Sequence, residues 1–129
     1  MEKLLGNTTR RPDITFYKNG RIDITARVAR LLGISRGDVI DICTDGYEYY
    51  LYVRLHASGN NLGRHEAQCI PTNRSPKCRN FRTYSSRLCK IILERCNAKE
   101  RIAFPIGELV NHYEVGKAVT IITNNNILL

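Results

Sequence analysis

The sequence has no long hydrophobic run. None of its apolar stretches approaches the roughly 18 residues that a transmembrane helix needs. Its first residues, Met1–Asn7, also lack the basic start and apolar centre of a signal peptide. We therefore expect a cytoplasmic protein that does not enter a membrane. The 129 residues, 43% of them hydrophobic, are within the size of one domain and can bury a core.

Close cysteine pairs are also missing. The sequence contains five cysteines, an odd number, and no two of them have CxxC spacing. They are Cys43, Cys69, Cys78, Cys89 and Cys96. In a cytoplasmic chain this pattern predicts free thiols, several of them buried. The loose set of His56, His65, Cys69 and Cys78 does not have the spacing of a zinc site, so we expect no metal ion and no other cofactor.

Motifs that would indicate an active site are absent from the sequence. The three histidines are scattered, no glycine-rich loop could hold a phosphate, and no paired carboxylates flank an apolar segment. Cys78 lies between Lys77 and Arg79, whose charges would lower the pKa of its thiol, but no motif supplies a partner base. We therefore expect no enzymatic activity.

Acidic residues are scarce in the middle of the sequence. The formal net charge is +8, and the segment from Arg54 to Lys90 has eight basic residues against one acid, Glu66. Such a segment attracts phosphate backbones through the release of counterions. A solvated loop in a basic protein would have the same composition, so charge alone leaves both interpretations open.

Within that segment, the run Arg74–Tyr84 mixes basic and aromatic residues. Mobile arginines can reach phosphates, and Phe81 or Tyr84 could stack on bases; the alternative is a disordered surface loop. Another basic and aromatic set lies on one face of a predicted strand over Tyr47–His56. For that set a half-exposed strand is the favoured interpretation, because tyrosine is common in strands. Its members are Tyr50, Tyr52, Arg54 and His56.

The first part of the sequence predicts a hairpin followed by a short helix. The dipeptide Asn19–Gly20 favours a turn between two strands. A two-residue turn would place Phe16 opposite Asp23, on the wrong face of the hairpin, so we expect a longer or bulged loop. The apolar spacing then changes to that of a helix. Thr25 is a plausible N-cap of this helix, and Gly33 ends it.

The chain divides into four segments by composition and pattern. They are a mobile N-terminal segment (1–12), a strand-and-helix unit (13–57), a basic loop (58–84) with a short strand around 67–70, and a C-terminal unit (85–129). In the C-terminal unit, Ser85 can cap a helix that runs to about Asn97. Strands are expected on both sides of Gly107–Val110, which is predicted to be a turn or a short helix.

The two ends of the chain show a weak internal repeat at an offset of 80 residues. Ile22 aligns with Ile102, and Val39 aligns with Val119. This match indicates a second, similar half-unit near the C-terminus, although apolar strands also give such matches by chance. If the repeat is real, the two half-units could pair within one chain.

Two segments of the N-terminal half carry a distinctive pattern. Residues Gly20–Ile24 are G-R-I-D-I, and Leu32–Ile42 are L-G-I-S-R-G-D-V-I-D-I. In this pattern Gly33 lets a helix stop at once, and Gly37 with Asp38 reverses the chain into the next strand. The pattern resembles the swapped-hairpin modules of AbrB-type and MazE-type DNA-binding proteins, over about residues 13–55.

The resemblance implies a mainly β (α+β) fold with short helices, in which two copies interleave their hairpins into a small barrel. It therefore implies a homodimer, and a surface that contacts DNA. The DNA-contacting residues that it implies are Lys18, Arg21, Arg27 and Arg30. From the basic run we add Arg74, Lys77, Arg79 and Arg82. Each of these could instead be a solvent-facing charge beside a turn or a helix.

We therefore expect a DNA-binding protein, a transcriptional regulator or an antitoxin-like factor. Basic side chains would neutralise phosphates, and a few arginines would contact base edges. The alternative is a protein-interaction module or a structural domain that does not bind nucleic acid. The composition and motifs of the sequence leave both classes open.

Overall fold

The computed structural model of the protein describes residues 12–57 and 65–123. Within these residues the chain forms nine strands and two helices. In chain order they are β1 (Ile14–Tyr17), β2 (Arg21–Ile24), α1 (Ala26–Leu32), β3 (Val39–Thr44), β4 (Tyr49–Leu55), β5 (Ile70–Pro71), β6 (Phe81–Tyr84), α2 (Ser86–Arg95), β7 (Arg101–Phe104), β8 (Ile106–His112) and β9 (Gly116–Ile121). The expected N-terminal segment lies almost entirely outside the described residues.

The strands form two antiparallel sheets. The five-stranded sheet has the order β5-β6-β2-β1-β7, and the four-stranded sheet has the order β3-β4-β9-β8. This confirms the expected mainly β fold. The described strands make two open sheets and not one closed barrel. Strand β7 lies beside β1, and β9 lies beside β4. The C-terminal part of the chain thus completes both sheets that the N-terminal part begins.

The β1–β2 hairpin has the longer loop that the sequence predicts. Ile14 lies opposite Ile24 and Phe16 lies opposite Ile22, so the apolar side chains of both strands share one face. The N–H of Gly20 donates to the carbonyl of Tyr17 at 3.0 Å. Gly20 has a φ of 95°, a conformation that closes a hairpin loop of this length and that favours glycine.

The core lies on the face of the five-stranded sheet that carries these apolar side chains. Phe16 and Phe104 meet there edge to face, with their ring centroids 6.1 Å apart. Both helices contribute buried side chains to the same core, namely Val28, Ala29 and Leu32 from α1 and Cys89, Ile92 and Leu93 from α2. We call the opposite face of the five-stranded sheet its outer face. It carries the polar residues that alternate along the strands with the buried apolar residues.

The helix ends confirm two predictions and correct a third. Gly33 ends α1 in the left-handed conformation (φ 68°), and Ser85 caps α2 by accepting a hydrogen bond from the N–H of Leu88. Thr25 occupies the N-cap position of α1, but its side chain makes no capping bond. Instead the side-chain oxygen of Asn80 accepts from the N–H of Ala26 at 2.9 Å. A residue 54 positions further along the chain therefore caps α1.

Two further segments differ from the prediction. Gly107–Val110 is part of strand β8 and is not a turn or helix, because Leu109 pairs with Val119 on β9. The segment 58–84 contains β5 and β6 in its described part, whereas 58–64 lies outside the described residues. Phe81 and Thr83 are buried where β6 pairs with β2, and this burial explains why the end of the predicted loop is a strand.

Candidate nucleic-acid interface

The basic run forms an ordered hairpin, which we call the basic hairpin and define as residues 70–84. It consists of β5, β6 and the turn between them, and its sequence contains no acidic residue. The N–H of Thr72 donates to the carbonyl of Asn80, and the N–H of Cys78 donates to the carbonyl of Ser75, both at 3.0 Å. The turn exposes three cationic side chains, Arg74, Lys77 and Arg79. The turn thus presents positive charge from a hydrogen-bonded backbone.

A groove of about 670 Å³ lies between the basic hairpin and the turn that follows α1. Arg74 and Arg79 line one side of the groove, and Arg36 lines the other. The N–H of Gly37 donates to the carbonyl of Cys69 at 2.8 Å, which joins the two walls. The structure therefore brings together three arginines from opposite sides of one concave surface, with Lys77 on the same turn as two of them.

Asp38 fixes the wall that carries Arg36. Its carboxylate is only 1% exposed and accepts hydrogen bonds from the N–H groups of Ser35 and Ala57, each at 2.8 Å. His56 Nδ1 lies 3.2 Å from the same carboxylate. Arg36 therefore extends from a turn whose backbone is hydrogen-bonded on both sides of it, at Ser35 and at Asp38. Sequence reasoning missed Arg36, although it lies within the L-G-I-S-R-G-D motif that the resemblance singles out.

The one acid of the basic segment does not neutralise the hairpin. Glu66 contacts Arg87 of α2 at 2.6 Å and also accepts a hydrogen bond from the Ser85 hydroxyl. These contacts, with Arg87 the stronger influence, hold the pKa of Glu66 below its usual value. Glu66 therefore remains a carboxylate at the start of α2, and its ion pair is with Arg87 and not with the cations of the hairpin turn.

Two other predicted contact residues lie on the outer face of the five-stranded sheet. Arg82 and Arg21 both contact Asp23, at 2.9 Å and 3.3 Å. The bond to Asp23 raises the pKa of Arg82. The guanidinium of Arg21 also lies over the ring of Tyr17, 4.0 Å from its centroid. Both arginines are thus held in place within the sheet, and neither lines the groove.

The last three predicted contact residues are dispersed. Arg27 forms an ion pair with the buried carboxylate of Asp13 at 2.9 Å, so this charge is already compensated. Lys18 lies at the other end of β1 and is 3.9 Å from Glu100, with both side chains exposed. Arg30 is exposed in the last turn of α1. The four residues that the resemblance implies therefore do not form a single patch around the groove.

Tyr50 and Tyr52 of β4 are bonded to neighbouring acids. Tyr50 donates to Glu48 at 2.9 Å, and this bond is the main reason why the pKa of Tyr50 is raised to about 12. Tyr52 donates to Asp41 on β3 at 3.3 Å. These contacts favour the interpretation of this face as an ordinary half-exposed strand.

In residues 12–57 and 65–123, no three histidine, cysteine or acidic side chains are grouped so that they could hold a metal ion.

Cys78, in the wall of the groove, should be the fastest of the cysteines to react with iodoacetamide at neutral pH. The hydroxyl of Thr72, followed by nearby backbone groups, lowers the pKa of the Cys78 thiol. Burial raises the pKa of Cys69 to about 12. Because the thiolate is the nucleophile, a lowered pKa gives a larger reactive fraction at neutral pH. Brief labelling followed by peptide mass spectrometry measures this order, and equal labelling of Cys78 and Cys69 would contradict it.

Comparisons with known proteins do not identify a relative. No family model, no curated protein and no solved structure matches the chain. Among the described residues, neither helix has the length and apolar character required to span a bilayer. The function of the chain must therefore be inferred from its fold and its side-chain geometry.

Proposed function

We propose that this chain is a DNA-binding protein without enzymatic activity, of the transcriptional-regulator or antitoxin-like kind, which acts in the cytoplasm as a homodimer. One observation carries the proposal. Arg36, Arg74 and Arg79 line a single groove, Lys77 extends from the same turn, and the basic hairpin contains no acid. Three arginines on one concave surface, with a lysine on the turn beside it, suit a polyanion.

The basic hairpin would supply most of the binding free energy through phosphate contacts. A two-stranded β ribbon fits the major groove of B-DNA, and the cations at its turn would reach the phosphates on either side. Contacts to phosphates position a protein, whereas contacts to base edges select the sequence. Arginine is the side chain that most often contacts guanine, so Arg36, Arg74 and Arg79 are also the candidates for base contact.

The kinship with AbrB-type and MazE-type modules is part of the same proposal. The element order β1–β2–α1–β3–β4 is compatible with the strand, helix and turn pattern on which the resemblance rests. In those modules a second copy supplies the interleaved hairpin. Here β7 and β9 of the same chain lie beside β1 and β4, so a homodimer would form through other surfaces of this chain.

Salt dependence of duplex binding tests the proposed function. Four phosphate contacts predict a slope of about −3.6 in a plot of log affinity against log salt concentration. Fluorescence anisotropy with a labelled duplex at several salt concentrations measures this slope. DNA bound in the groove should also slow the alkylation of Cys78. If the affinity for duplex is no higher at low salt and the labelling of Cys78 is unchanged by DNA, the proposed function is wrong. The protein-interaction or structural alternative would then remain.

A further inference from the structure

The outer face of the five-stranded sheet carries a row of alternating arginine and tyrosine side chains. Tyr17 on β1 lies opposite Arg101 on β7, and Arg21 on β2 lies opposite Tyr84 on β6. The contact between the Arg21 guanidinium and the Tyr17 ring joins these two pairs across the β1–β2 hairpin. Four adjacent strands thus contribute one residue each. We call these four residues the tyrosine–arginine face.

This row is accessible in the described part of the chain. Tyr84 is 52% exposed, Arg101 is exposed, and Arg21 and Tyr17 are partly exposed. The residues that alternate with them, such as Phe16 and Ile22, are fully buried in the core. Because both helices contribute to that same core, they lie on the other side of the sheet.

The face is also positively charged and held in place. Four cations lie on or beside it, namely Lys18, Arg21, Arg82 and Arg101, against the two carboxylates of Asp23 and Glu100. Asp23 contacts both Arg21 and Arg82, so it positions two of these cations. Lys18 and Arg101 lie beside Tyr17 at the β7 end of the row. The face therefore has a net positive charge, which suits a polyanion, and it carries two tyrosine rings and the guanidinium of Arg21.

We propose that the tyrosine–arginine face binds an unpaired, single-stranded segment of nucleic acid. Bases would stack on the ring of Tyr84 and on the guanidinium of Arg21, while Lys18 and Arg101 contact the phosphates. Aromatic rings and arginine planes stack on any base, and this stacking is sequence-tolerant. In a duplex the base faces are already stacked on one another, so only an unpaired strand can use such a surface.

The site is separate from the groove beside the basic hairpin and does not depend on duplex binding there. Strand β6 connects the two surfaces, since Phe81 at its start lines the groove and Tyr84 at its end lies on the face. A single strand could therefore continue from the face toward the hairpin cations. None of the four residues of the face lines the groove, so the two proposals can fail independently.

Substitution of Tyr84 tests this proposal on the full chain. The probes are a labelled single strand of mixed sequence and the duplex of the same sequence, titrated by fluorescence anisotropy. Tyr84→Ala should weaken single-strand binding about 5- to 150-fold, the range expected for the loss of one stacked base. Because Tyr84 lies at the far end of β6 and does not line the groove, this substitution should leave duplex binding and the salt slope unchanged. Tyr84→Phe should retain single-strand binding, because the ring is kept.

Tyr47→Ala is the matched control, because Tyr47 is 87% exposed in the β3–β4 turn, away from the face. If Tyr84→Ala binds the single strand as well as Tyr47→Ala does, the face is not a stacking site and the proposal is wrong. If circular dichroism shows that Tyr84→Ala does not fold, Arg101→Gln tests the proposal in its place, with Tyr84→Phe as the variant that keeps the ring. Arg101→Gln should then weaken single-strand binding by several-fold, and wild-type affinity would overturn the proposal.

The same titrations separate this proposal from the proposed function. If the duplex affinity of the wild-type chain falls steeply with salt concentration and the single strand does not bind, only the groove is supported as a binding site. A chain that binds the single strand through Tyr84 but not the duplex supports the face alone. Loss of both after substitution of the hairpin cations, with no effect of Tyr84→Ala, would assign all binding to the groove.

Discussion

Replacing Arg36, Arg74, Lys77 and Arg79 together by glutamine should lower the affinity for duplex DNA at least about a hundredfold at low salt. If the proposed function holds, each of these cations that contacts a phosphate releases counterions, so the four together should dominate the salt-dependent part of binding. Between about 50 and 200 mM salt the wild type should lose about a hundredfold in affinity, and the variant at most a few-fold. Fluorescence anisotropy on both proteins measures these values.

A charge-matched variant shows whether position matters or only net charge. Replacing Arg54, Lys90, Arg95 and Lys99 by glutamine removes the same four charges from exposed positions outside the groove. This control should retain most of the wild-type affinity and nearly the same salt slope. Equal losses in the two variants would mean that the whole basic surface attracts DNA without a defined site. The assignment of the groove would then be wrong.

Local signals in the sequence were sufficient to predict several elements correctly. The longer hairpin loop follows from the alternation of Ile14, Phe16, Ile22 and Ile24, because a two-residue turn would place the apolar residues of the two strands on opposite faces. The stop at Gly33 follows from the conformational freedom of glycine at a helix end. In each case the determinant lies within a few residues of the structure that it specifies.

The partners of charged residues are the part that sequence reasoning could not supply. Arg27 is paired with an acid 14 positions away, and Arg82 with an acid 59 positions away. A local count of charges shows that both are basic but cannot show that Asp13 and Asp23 already compensate them. For the same reason sequence reasoning missed Arg36, because strands β3 and β4 separate it from the basic hairpin in the sequence.

Strand β8 shows the limit for secondary structure. Gly107–Val110 has a composition that suits a turn, and the predicted repeat favoured a turn or short helix there. Pairing with β9 along most of the length of β8 stabilises the strand instead. Such pairing depends on the whole fold and overrides the local preference of a few residues.

The largest effect on stability is expected from removal of the Asp13 carboxylate. Asp13 is 5% exposed and precedes β1. Its carboxylate accepts from the Arg27 guanidinium at 2.9 Å, the N–H of Ile106 at 3.0 Å and the Thr25 hydroxyl at 3.3 Å. One side chain thereby connects β1, the start of α1 and the start of β8. Arg27 is itself half exposed, so water can hydrate its guanidinium when the carboxylate is lost, and this limits the cost.

Asp13→Ala should therefore lower the free energy of unfolding by about 3 kcal/mol, since it removes a charge-assisted bond and two further hydrogen bonds to a buried carboxylate. Urea denaturation followed by circular dichroism measures this value. The matched control is Glu100→Ala, which breaks the exposed pair with Lys18 and should cost less than about 1 kcal/mol. If the two variants unfold at the same urea concentration, Asp13 does not link the two sheets. Arg27→Ala should fall between them, because the carboxylate keeps its other two donors.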